Sequence, residues 1–104
     1  MKVILYIDTS KIDEATVGVS IDGVKKELKE ASKKRKSQAV LLLVDKLLTQ
    51  NRLTLKDLNA IEVNPGPGSF TGIRVGVSIA NTLAQTLGIP VNGKPNSLVE
   101  PIYA

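Results

Sequence analysis

The stretch V-I-L-Y-I-D-T-S-K-I-D-E-A-T-V-G-V-S-I-D-G-V-K-K-E-L-K-E-A, residues 3–31, decides the fold. Val3 to Asp8 is an almost unbroken apolar run ending in an acid, the pattern of a buried central strand. Thr9 to Glu14 is a polar turn. Ala15 to Asp22 alternates, with Val17, Val19 and Ile21 on one face, which is strand periodicity. Asp22-Gly23 is a two-residue hairpin signal. Val24 to Ala31 then reads as a charged, edge-like third strand, so the chain opens with an antiparallel meander.

Downstream of the meander, Ser37 to Gln50 has the pattern of a helix with Ser37 as its N-cap, ended by Asn51 and Arg52. Thr54 to Asp57 forms a short turn, and Asn59 to Val63 a fourth strand. Asn64 to Ser69 is a Pro/Gly-rich turn. Phe70 to Leu87 is a second helix, stopped by Gly88 with Pro90 close behind. Val91 begins a fifth short strand, and Ser97 caps a last helical turn. The expected order is β-β-β-α-β-α-β, an α/β fold with a mixed five-stranded sheet and two long helices. Residues 1–104 form one domain, without repeats, linkers or low-complexity tracts.

The 104 residues include no cysteine and no histidine. Disulfides, thiolate nucleophiles, zinc sites of the Cys and His type and an imidazole base are therefore excluded. Any chemistry would run on carboxylates, hydroxyls, Lys, Arg or backbone groups. The net charge of +4 is concentrated between Lys25 and Lys36, where seven basic residues face only Glu27 and Glu30. Such a segment reads first as a solvated edge protected from strand pairing. The alternative is an electrostatic contact with RNA or an acidic partner. No aromatics interleave the lysines, which argues against base stacking. No signal peptide is seen, and the long uncharged stretch from Val75 to Gly93 is too polar to span a membrane. The expected location is the cytoplasm.

The two helices carry more apolar surface than one sheet needs. In the first, Val40, Leu43, Val44 and Leu47 form a docking stripe. Leu41 and Leu48 lie on a neighbouring face, and Leu42 on a third. In the second, no charge follows Arg74 until Lys94. Ile73, Val77, Ala80, Ala84 and Leu87 make one stripe, and Val75, Ile79 and Leu83 another. Gly72, Gly76, Ala80 and Ala84 recur every four residues, leaving a groove where another backbone can approach. The excess predicts a protein–protein interface using Leu41, Leu42, Val44, Leu48, Gly72, Gly76, Ile79, Ala80 and Leu83.

The turn Pro65-Gly66-Pro67-Gly68-Ser69-Phe70-Thr71-Gly72 lies between a strand and a helix, where backbone N–H groups favour an anion. Its spacing matches neither the dinucleotide fingerprint nor the Walker A loop, and its prolines remove two donors. Two readings stay open on spacing alone. In one, the turn only lets the helix start close to the sheet, with Ser69 or Thr71 as N-cap. In the other, Asp8, Thr9, Gly66, Gly68, Ser69, Thr71 and Gly72 contact a phosphate. No histidine can activate Ser69 as a nucleophile.

Gly66-Pro67-Gly68-Ser69-Phe70-Thr71-Gly72-Ile73-Arg74-Val75-Gly76 resembles the signature of the TsaB (YeaZ) family. Ile7-Asp8-Thr9-Ser10, Asp57-Leu58-Asn59-Ala60-Ile61, Gly88-Ile89-Pro90-Val91 and Ser97-Leu98 resemble that family in order and spacing. The resemblance implies an actin-like, ribonuclease-H-like first lobe of the sugar kinase, chaperone and actin superfamily, with the second lobe absent. It implies a non-catalytic scaffold that docks through its helices on a TsaD-like enzyme and works with a TsaE-like ATPase. Their product is threonylcarbamoyladenosine in tRNA. Self-pairing through the same face is expected when the chain is alone, with tRNA contact only indirect. No cofactor or metal is implied, because a nucleotide cleft in this superfamily needs both lobes. The family's older glycoprotease label has no support in these residues. The competing expectations are a stand-alone phosphate or nucleotide binder, and a magnesium-dependent ribonuclease-H-like enzyme using Asp8.

Overall fold

A computed structural model describes residues 1–32 and 35–103. Strands β1 (Val3–Asp8), β2 (Glu14–Ile21) and β3 (Val24–Ala31) form the expected meander. Helix α1 (Lys36–Gln50) follows, then a short 3-10 turn at Leu55–Asp57, strand β4 (Ala60–Val63) and helix α2 (Phe70–Leu87). The sheet order is β3-β2-β1-β4. β1 runs antiparallel to β2, with Val3 opposite Ile21, and parallel to β4, with Leu5 opposite Ile61.

The hairpin between β2 and β3 turns on Asp22 (φ 50) and Gly23 (φ 88). Positive φ at both central residues is what a two-residue turn needs to follow the twist of its strands. The Asp22 carboxylate also accepts from the Lys2 N–H at 2.7 Å, which ties the chain's start to the turn. β3 is the exposed edge. Its lysines are engaged within the chain: Lys25 lies over the Tyr6 ring at 4.2 Å, and Lys26 donates to Asn51 Oδ1 at 2.8 Å. Lys33 and Lys34 of the basic segment lie outside the described residues.

Alternation sets the layers. Val3, Leu5, Ile7, Val17, Val19, Ile61 and Val63 are buried on one face, and both helices cover that face. Leu43, Val44, Leu47 and Leu48 from α1 and Ile73, Val77, Ala80 and Ala84 from α2 complete the core. Each large side chain buried there contributes roughly 1.5–3 kcal/mol. The opposite face carries Tyr6, Asp8, Thr16, Glu62 and Asn64, all half-buried.

Three local expectations are corrected. Among the described residues the sheet has four strands, not five: Val91 makes a single parallel bridge to Ile61 and turns back at once to Lys94. Pro90 brings no N–H, and Asn92 (φ 49) and Gly93 (φ 78) close a tight turn, so no ladder can propagate. Helix α1 begins at Lys36 behind a left-handed Arg35, with no side-chain cap, rather than behind a Ser37 cap. The Lys36 side chain is buried and its ammonium donates to the Lys11 carbonyl, which draws that residue into the first turn. Ser97 caps no helix; residues 97–103 run irregularly along α2, where Asn81 pairs with Val99 through both its amide atoms.

Candidate functional site

The Gly-rich turn is explained first by its packing on β1. The Ser69 N–H donates to the Ser10 carbonyl at 2.7 Å, and the Ser69 hydroxyl accepts from Gly72 N–H at 3.3 Å as the N-cap of α2. Thr9, fully buried, donates its hydroxyl to the Gly72 carbonyl at 2.5 Å and accepts from the Gly76 N–H at 3.1 Å. A side chain at Gly72 would meet the Thr9 carbonyl at 2.2 Å, and one at Gly76 the Thr9 hydroxyl at 2.4 Å. The close approach expected along these glycines is therefore made by β1 of the same chain, not by a partner. At Gly68 a side chain would strike the Ser10 carbonyl at 2.6 Å, and at Gly66 the Ile102 carbonyl at 2.4 Å.

Of the phosphate-candidate residues, Thr9, Gly68, Ser69 and Gly72 are brought together, as a strand-to-helix joint, while Gly66 packs on Ile102 and Ile73. Asp8 ends β1 and accepts from the Ser10 N–H at 2.9 Å and its hydroxyl at 2.6 Å. Burial pushes the Asp8 carboxyl up. Its hydrogen bonds from Ser10 and Asn64, with the charge of Lys11, outweigh that and hold it below its ordinary value. Among the described residues no three carboxylates gather as a metal site would require. A small pocket beside α2's start is lined by Ile12, Lys36, Ser69, Thr71, Gly72 and Val75. Burial pushes the Lys36 ammonium down, against the opposing pull of Asp13 and Asp8.

The helix face divides the interface candidates. Leu41 and Leu42 are 51% and 66% exposed. Ile79 and Leu83 are half-buried. Val44, Leu48 and Ala80 instead lie in the chain's own core. Leu48 was read as facing outward from its spacing to Leu41. Leu48 follows Val40 and Val44 at four-residue spacing and so belongs to the buried face of α1. The chain turns back at Arg52 (φ 57), and the Leu53 N–H bonds to the Leu48 carbonyl at 2.9 Å to end the helix. Between the two helices runs a groove of about 350 Å³ lined by Leu41, Val44, Asp45, Leu48, Leu53, Leu55 and Leu83. A second hollow, lined by Ser37, Thr71, Arg74, Val75, Ser78 and Ile79, adjoins α2's first half. Leu55, on the 3-10 turn, extends this apolar surface and was not singled out in the sequence. It stands 39% exposed on a single helical turn closed by the Thr54–Asp57 capping box.

A sequence model of the family described as TsaD, tRNA N6-adenosine threonylcarbamoyltransferase, matches residues 20–94. The tRNA threonylcarbamoyladenosine biosynthesis protein TsaB of Buchnera aphidicola (subsp. Schizaphis graminum) is 43% identical over 91 residues, covering 88% of this chain and 43% of that protein. TsaB of Bacillus subtilis is 40% identical, covering 86% and 39%. YeaZ from Pseudomonas aeruginosa superposes with a TM-score of 0.81 at 31% identity, over 88% of this chain and 42% of that one. This chain belongs to the TsaB (YeaZ) family. It spans about two-fifths of the length of the TsaB proteins it matches. The glycines at 72 and 76 have their physical basis in Thr9: only glycine at these positions admits β1 so close to α2. No helix among the described residues is long and apolar enough to cross a membrane.

Proposed function

We propose that this chain is a non-catalytic docking subunit of tRNA threonylcarbamoyladenosine biosynthesis, and that it binds a TsaD-like enzyme through the face shared by α1 and α2. The observation that carries the reading is the apolar groove between the helices, flanked by the exposed Leu41 and Leu42. Two adjacent leucines at these exposures on a helix that already buries a full stripe call for a second surface. The TsaB-named relatives supply the pathway.

The same face would let two copies of the chain pair in the absence of the enzyme. A TsaE-like ATPase would join the assembly, and tRNA would be reached only through the partner. Residues 1–104 stand in this reading for the first, actin-like lobe, and neither nucleotide nor metal takes part.

Size-exclusion chromatography with light scattering, on the chain alone and mixed with TsaD from the same source, tests the proposal. A one-to-one complex is expected. Failure of the two to co-elute at micromolar concentration would remove the docking reading.

A further inference from the structure

The place where a fifth strand was expected is held instead by one side chain, and that side chain is chemically labile. The carboxamide of Asn92 accepts from the Val63 N–H at 2.8 Å and donates to the Val63 carbonyl at 3.0 Å. The Asn92 N–H donates to Ile61 O at 2.9 Å, and Ile61 N–H to Pro90 O at 3.0 Å. Asn92 thus serves the free edge of β4 as a strand would, satisfying groups that would otherwise be open to pairing. It is followed by Gly93, and Asn92-Gly93 is the chain's single Asn-Gly pair.

A glycine after asparagine leaves the next backbone nitrogen unhindered. That nitrogen can lose its proton to hydroxide and attack the Asn92 Cγ. The new N–Cγ bond forms as the Cγ–Nδ2 bond breaks, and the amide nitrogen leaves as ammonia with a proton from water. Water then opens the cyclic imide to an aspartyl or isoaspartyl residue. In the fold, both polar atoms of the carboxamide are committed to Val63, so attack on Cγ and departure of Nδ2 must break hydrogen bonds that the open chain does not hold.

We propose that Asn92 is a deamidation site whose reactivity the fold suppresses, and that its conversion opens the β4 edge. The product carboxylate has no donor for the Val63 carbonyl, and places a charge against that oxygen. Conversion therefore occurs chiefly in molecules whose clasp has opened, and it prevents the clasp from reforming fully.

The test is to incubate the chain, folded and in urea, at mildly alkaline pH, and to follow the peptide containing Asn92 by mass spectrometry. Asn96-Ser97 and Asn59-Ala60 serve as internal references. In urea, Asn92 is expected to convert faster than either reference. In the folded chain its conversion should be slower by roughly tenfold or more, the mark of a gated site. Purified deamidated chain, returned to native buffer, should show faster amide exchange at Ile61 and Val63 than the parent. Equal Asn92 rates with and without urea would overturn the proposal. So would unaltered exchange at β4 after conversion.

Discussion

At the scale of single residues, the joint between Thr9 and α2 sets what the Gly-rich signature tolerates. Gly76→Ala would bring a methyl to 2.4 Å from a hydroxyl, whereas Gly72→Ala would bring one to 2.2 Å from a backbone carbonyl. Both should destabilise the chain, by about 1–3 kcal/mol or more for an overpacked site. Only the first obstacle can be removed by mutation. In a Thr9→Ala background, itself weakened by about 1–3 kcal/mol through loss of a buried bonded hydroxyl, Gly76→Ala should become neutral or stabilising. There alanine regains about 1 kcal/mol of helix propensity, while Gly72→Ala stays costly. Urea midpoints of the three single and two double variants check this, and equal behaviour of the two glycines would refute the joint. Asp8 makes a different prediction. Its folded carboxyl titrates below the ordinary value of 3.8, so its stabilisation is present above that value. It is lost as pH falls through the lowered folded value. Asp8→Asn should therefore be less stable than the parent near neutral pH, with the gap closing under acid. A gap that stays constant across that range would show that the Ser10 bonds do not depend on the charge.

Among the secondary-structure elements, the helices separate what periodicity conveys from what the connecting loops decide. β1, β3 and α2 were legible because each carries its own punctuation. Asp8 ends an apolar run, Asp22-Gly23 sets the hairpin, and Ser69 and Gly88 bound α2. The start of α1 was not legible, since a lysine tail reaching a carbonyl 25 residues away has no local signature. Leu48 was misplaced because the buried face of α1 is wider than the stripe read from the sequence: Leu48 follows Val44 by four residues and closes the pattern Ala39, Val40, Leu43, Val44, Leu47, Leu48. The fifth strand failed because a side-chain amide, Asn92, replaced the ladder. Of the candidate phosphate residues, Thr9, Gly68, Ser69 and Gly72 lie together because β1 packs on α2, an arrangement that spacing alone could not distinguish from a ligand cradle. These differences make the helix face testable by contrast. Leu41→Glu with Leu42→Glu should leave thermal stability within about 0.5 kcal/mol, as exposed substitutions do, while abolishing assembly. Leu48→Ala should cost about 2–5 kcal/mol by emptying a core site. Circular dichroism melts beside light scattering read both effects. Melting of the Leu41/Leu42 double variant at the temperature of Leu48→Ala would mean that the face belongs to the core, not to a partner.

For the molecule as a whole, charge and apolar surface are segregated, and the segregation says how assembly should respond to solvent. The chain carries a net charge of +4. On β3, Lys25 and Lys29 approach Glu27 and Glu14, and Lys26 is bonded to Asn51, at the sheet edge remote from α2. The groove between the helices has Asp45 as its one charged lining residue. Burial of such a surface gains free energy from apolar area, which salt does not screen. Contact through clustered lysines would instead release counterions, and its affinity would fall steeply as salt rises. Raising salt from 50 to 200 mM should thus change the dissociation constant for a TsaD-like partner by less than about threefold, against the roughly thousandfold loss expected of a contact neutralising six phosphates. Titration by calorimetry at the two salt concentrations measures the difference directly. A steep loss would move the contact from the helix face to the basic edge and make the exposed leucines bystanders. A flat response, together with a negative heat-capacity change of binding, would place the buried area on α1 and α2, because the β3 edge exposes only Val24 among its large apolar residues, against Leu41, Leu42 and Leu55 at the helix face.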